Sequence, residues 1–144
     1  MATEDTTMNM LDHVLVPVAN EDDARTTAQA LSNYSPGEVT VLHVVEKGEG
    51  VPDKTPVEQS EAIAAESFEA FREAFPDAAD EITYSRDIVG AIFDVAESVD
   101  ASAIVFRSRG GNRLVQFLSG DLSLKLVTNA ERPVIALPRE NPHE

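Results

Sequence analysis

The sequence predicts a single doubly wound α/β domain on a five-stranded parallel sheet, and three observations predict it. Five short β-branched apolar runs alternate with four amphipathic segments along the chain, the pattern of strands buried on both faces beneath helices. At 144 residues the chain supports one core, burying roughly 70% of its unfolded surface, and is short for two. It has no Cys, which excludes a disulfide framework, a thiolate nucleophile, an iron–sulfur cluster and a Cys-type zinc site.

The first strand is His13–Val18 (HVLVPV), a continuous apolar run. Asn20 is placed to cap the next helix, with Glu21, Asp22 and Asp23 as acids suited to its first turn. Ala24, Thr27, Ala28 and Leu31 mark its buried face, and Ser35-Pro36-Gly37 ends it. Glu38–Val45 (EVTVLHVV) is the second strand, followed by the Gly/Pro-rich loop Lys47–Pro56. A long helix is predicted from Val57 to Phe75, with Ala64, Phe68, Phe71 and Phe75 inward and Glu58, Glu61, Glu66, Glu69 and Glu73 toward water. Pro76-Asp77 breaks it, and Glu81–Ser85 makes the third strand. Ile88, Ile92, Val95, Ala96 and Val99 define the next helix, and Ser102–Phe106 (SAIVF) is the fourth strand. The loop Arg107–Gly111 (RSRGG) leads into a helix from Asn112 to Asn129, and Val134–Leu137 between Pro133 and Pro138 is the last strand. Residues 1–10 are expected to be a disordered leader, 11–139 the domain, and 140–144 a frayed tail.

Charge narrows the class. Eleven Lys+Arg (8 Arg, 3 Lys) against 26 Asp+Glu give −15, a balance that repels nucleic acid and anionic membranes. No apolar run reaches ~18 residues, and the leader lacks the basic and apolar regions of a signal peptide, so a cytoplasmic protein is expected. The three histidines show no metal-ligand spacing. Scarce Lys and heavy self-repulsion point to a salt-loving source. Raising KCl or NaCl from 0.1 to about 2 M is accordingly expected to raise the melting temperature, because the Debye length contracts from about 10 Å to 3 Å or less. A flat or falling melting temperature would contradict this. The charge is uneven: residues 1–100 carry −17 and residues 101–144 carry +2.

In such folds ligands sit past the carboxyl ends of the strands, where the chain direction reverses. The stretches to consider are Ala19–Asp23, Glu46–Gly50, Arg86–Asp87 and Arg107–Gly111. His43, mid-strand, is expected to be a hydrogen-bonded core or sheet-face residue, and His13 lacks an evident Ser/Asp partner. Glu21-Asp22-Asp23 reads as a helix start rather than a phosphoacceptor site, since no Lys follows the last strand VIALP.

The stretch from Ile104 to Pro138, IVFRSRGGNRLVQFLSGDLSLKLVTNAERPVIALP, contains a strand, a Gly-containing loop, a helix and a final strand. With VLVPV, VTVLHVVE and DIVGAIFDVAESVDASAIVF in the same order, nearly the whole chain resembles the universal stress protein family. The resemblance implies strand order 3-2-1-4-5, an adenine nucleotide alpha hydrolase-like fold. ATP-binding members carry Gly-x2-Gly-x9-Gly-Ser/Thr and an Asp directly after the first strand. The positions here are Arg107, Gly110, Gly120 and Asp121, with Ala19 after the strand; Val41 on the second strand and Asn112 at the following helix complete the implied site.

Gly110 and Gly120 fit. Arg107 stands where the first Gly is expected, Asp121 for the hydroxyl, Ala19 for the nucleoside Asp, and Arg86 where the family often has Gly. A bulky Arg107 fills space a phosphate needs beside bare backbone, and two charges ~4 Å apart repel by about 4 kcal/mol at an effective dielectric near 20, so Asp121 opposes a polyphosphate. The reading is therefore a stress-response module, not an enzyme of known turnover, that does not bind ATP tightly. It would bind a small anion by Gly110–Asn112 and act through partners. The alternative is an ATP-binding member, weakly hydrolysing, that uses Gly110, Gly120 and Asp121 with a divalent metal. Arg86, Arg107, Arg109 and Arg113 either build an anion site or, as expected in so acidic a chain, are used in ion pairs, Arg107 or Arg86 with Asp121 and Asp87. In the implied order the last strand is an apolar sheet edge, so a homodimer through Val134, Ile135, Ala136 and Leu137 is expected.

Overall fold

The computed structural model describes residues 9–46, 57–107 and 120–138. The strands are β1 (His13–Pro17), β2 (Glu38–Glu46), β3 (Ala79–Ser85), β4 (Ala103–Arg107) and β5 (Val134–Leu137). The helices are α1 (Glu21–Leu31), α2 (Val57–Phe71), α3 (Ile88–Ser98) and α4 (Gly120–Thr128). All strand pairs are parallel, in the order β3-β2-β1-β4-β5. This is the doubly wound architecture expected.

The strand alternation divides the core in two. Val14, Val16, Val39, Val41, Ala103, Val105 and Leu137 point to the face covered by α1 and α2, where Ala24, Ala28, Leu31, Ala64, Phe68 and Phe71 meet them. Leu15, Leu42, Val44, Ile104 and Phe106 point to the other face, against Ile88, Ile92, Phe93 and Ala96 of α3 and Leu126 of α4. The inward Phe68 and Phe71 of α2, and its outward Glu58, Glu61, Glu66 and Glu69, follow the helical spacing of the sequence.

Several ends differ from the expected ones, each for a local reason. α2 stops at Phe71 rather than Phe75: Pro76 disfavours helical backbone before it, and the chain closes with the tighter bonds Glu73 N–H to Ala70 O and Ala74 N–H to Phe71 O, both 3.2 Å. β3 starts at Ala79, two residues before the expected Glu81, because Ala79 and Asp80 pair with Thr40 and Val41. Ser102 precedes β4 instead of opening it. Its hydroxyl accepts from His13 N–H at 2.9 Å and lies 2.8 Å from Met10 O, fastening the starts of β1 and β4. After α1 a short 3-10 turn, Ser32–Tyr34, leads to Ser35 at φ 53, the left-handed step that redirects the chain into β2.

Two exposed arginine contacts tie neighbouring elements together. Arg25 of α1 bonds Glu73 at 3.0 Å beyond the end of α2, and its guanidinium holds the Glu73 carboxyl below the usual range. Arg72 binds the Asp80 carboxylate at the start of β3.

Candidate functional site at the carboxyl ends of β1 and β4

The chain reverses direction across the sheet between β1 and β4, its two central neighbours. β1 stays in register with β2 as far as Pro17↔Leu42, but with β4 the register runs only through Leu15↔Ile104. Pro17 explains the difference. Val18 N–H bonds Leu42 O on the β2 side at 2.9 Å, so in the alternating ladder the donor of residue 17 would face β4. Proline has no N–H there. The two strands consequently part, leaving Val18 and Ala19 on one side of a crevice and Arg107 on the other.

The β1 side is held by α1. Asn20, with extended backbone, accepts Asp23 N–H on its Oδ1 at 2.8 Å and so caps the helix. Asp23, at the third helical position, turns its carboxylate back: Oδ2 accepts Ala19 N–H at 2.8 Å and Oδ1 accepts the Thr27 hydroxyl at 3.3 Å. Asp23 has no exposed surface. In the sequence Asp23 reads as one of three first-turn acids, and composition does not distinguish the one that makes this contact. The legible signal was the Asn-x-x-Asp spacing, that of a capping pair, carried here one residue further upstream.

Arg107 closes the β4 side. It follows Ala103 and Val105 in the alternation and thus shares their face, the one covered by α1. Its Nε is buried and has no hydrogen-bond partner. Among the described residues no carboxylate comes within ion-pair distance of it; the side chain of Asp121, the expected partner, lies outside the described residues. A buried guanidinium donor left open costs about 1–3 kcal/mol unless an acceptor reaches it.

The other expected positions fall elsewhere. Val41 is fully buried mid-strand, paired with Val16, on the face covered by α1 and α2. Gly110 and Asn112 lie outside the described residues, as do Arg109 and Arg113; Gly120 and Asp121 open the described part of α4. Asp87 caps α3 by accepting Gly90 N–H at 3.0 Å, and a Cβ at position 90 would make that carboxylate shift. His13 lies at the opposite, amino end of the sheet, Nε2 2.8 Å from Thr40 Oγ1, beside a groove of about 690 Å³. No group of three or more His, Cys, Asp or Glu able to hold a metal occurs among the described residues.

His43 is the buried hydrogen-bonded residue expected. Its Nδ1 lies 3.2 Å from Val18 O; a carbonyl only accepts, so Nδ1 carries the proton. Burial pushes its pKa below 6.5, outweighing the opposing pull of that carbonyl. The unfolded chain therefore binds a proton that the native ring refuses, and His43 subtracts stability as pH falls below about 6.5 toward the native pKa. Denaturant midpoints between pH 7.5 and 5 should fall less steeply for His43→Gln than for the parent; equal slopes would show that His43 does not contribute.

Comparison with known proteins places this geometry. The universal stress protein family model matches residues 10–138. No curated protein matches the chain. A universal stress protein from Lactobacillus plantarum is 26% identical, over 88% of this chain and 97% of its own, with a TM-score of 0.62. The Archaeoglobus fulgidus universal stress protein in complex with dAMP is 20% identical over 90% and 99%, TM-score 0.62. A family protein from Arabidopsis thaliana with AMP bound is 17% identical over 92% and 99%, TM-score 0.56. With its strand order, its crevice between β1 and β4 and a family match spanning nearly its full length, this chain belongs to the universal stress protein family.

Proposed function

We propose that this chain is a stress-response module whose crevice takes a small anion on Arg107 instead of holding ATP tightly, and that it acts as a homodimer through β5. The observation that carries the anion reading is the buried, unpartnered Nε–H of Arg107 at the mouth of the crevice. A guanidinium offers forked donors to a tetrahedral oxyanion, and partial burial strengthens each bond. Two positions of the family's ATP pattern fit ATP poorly. Ala19 has no side-chain acceptor for a sugar, and Arg107 puts a long side chain where the pattern has bare backbone.

The test is calorimetric titration of inorganic phosphate into the parent and Arg107→Gln at fixed ionic strength. Saturable binding lost in the variant supports the reading. Equal binding by the two, or none by the parent, overturns it.

The presence of dAMP and AMP in two of the related structures favours a second reading, nucleotide binding that uses Gly110, Gly120 and Asp121 with a divalent metal. Mg-ATP titration separates the two.

A further inference from the structure

We infer that Asp23 is a built-in occupant of the β1 side of the crevice, and that it restricts the ligand to a small oxyanion without a sugar. This inference rests on the anion reading for Arg107 and specifies the ligand of that same site.

Past the end of β1, Val18 N–H is bonded to Leu42 O, and Ala19 N–H is the next backbone donor. It is already taken by Asp23 Oδ2 at 2.8 Å, a charge-assisted bond of the stronger kind. The carboxylate is held from behind by the Thr27 hydroxyl, and the Asn20 cap fixes the turn that carries it. With no exposed surface, Asp23 is itself unable to receive a ligand hydroxyl. At Ala19 the β1 side thus offers neither an open amide nor, in Asp23, a reachable carboxylate, while on the β4 side Arg107 Nε–H remains open. A ligand reaching from Arg107 to Ala19 finds a partner only at Arg107. Orthophosphate or sulfate needs only that one.

The bond from Ala19 N–H to Asp23 spans four residues, and a substitution at Asp23 removes it. Asp23→Ala frees Ala19 N–H and leaves Arg107 in place. In matched titrations with orthophosphate and AMP, the parent is expected to bind orthophosphate at least as tightly as AMP. In Asp23→Ala the AMP affinity should rise about tenfold relative to orthophosphate, the scale of one recovered hydrogen bond. A purely structural role for Asp23 would weaken both ligands alike and leave their ratio unchanged; that result overturns the inference and leaves the Arg107 reading standing.

Amide and arginine side-chain NMR of the unaltered protein decides the matter if the variant does not fold. On adding orthophosphate the Arg107 Nε–H resonance should shift while the Ala19 amide stays in place. A dominant shift at Ala19 with Arg107 also moving overturns the role given to Asp23. No shift at Arg107 overturns the anion reading itself, and the inference with it.

Discussion

Phe71→Ala is expected to cost about 3–5 kcal/mol, a large part of the roughly 5–15 kcal/mol by which a domain of this kind is stable. Phe71 is fully buried, the last residue of α2, and packs in the core between α1, α2 and the sheet. Its ring stacks on Phe75 at 5.4 Å between centroids, so truncation also removes the contact that holds the turn after the helix. Collapse around the cavity is limited because the opposing wall is the parallel sheet, whose strands are fixed by their ladders. Urea unfolding of parent and variant measures the difference; a loss below about 1 kcal/mol would contradict this packing.

Loss of the proposed β5 homodimer is the other large effect expected. β5 is the edge of the sheet, as the sequence led one to expect, but its four residues are not equivalent. Leu137 is buried in the core, Val134 and Ile135 are half-buried against the two sides of the sheet, and Ala136 alone is exposed. Beside it lies a groove of about 400 Å³ lined by Met10, Leu11, Tyr34, Ile135 and Pro138 among others. Exposed apolar sheet edges favour pairing with another copy. Ala136→Glu places like charges across a two-fold edge contact without disturbing the core, and should halve the molar mass seen by light scattering in high salt. A parent already monomeric at micromolar concentration, or a variant with unchanged mass, would contradict the dimer.

How much was legible follows the physics of each signal. Strands such as Val134–Leu137 announce themselves by continuous apolar runs, and α1 by the cap Asn20 and the stripe Ala24, Thr27, Ala28 and Leu31, because burial acts on every residue of the pattern. The end of α2 is less legible because Phe75 keeps helical spacing although Pro76 disfavours helical backbone before it. At the site, Ala19 and Arg107 are legible by position along the chain, each at the end of a strand, and those strands, β1 and β4, are neighbours in the sheet. Val41 belonged to the same strand system but to its covered face, a distinction set by alternation and burial in three dimensions. Asp23 was hidden among Glu21 and Asp22: composition makes the three acids equal, and only the backbone turn after Pro17 makes one of them a buried acceptor.

Titration of the parent protein with orthophosphate and with Mg-ATP, by calorimetry at matched ionic strength, tests most directly whether this crevice is an oxyanion site on Arg107. Saturable orthophosphate binding, with no ATP binding in the micromolar range, is the expected result. Micromolar ATP affinity, about −8 kcal/mol, would contradict it.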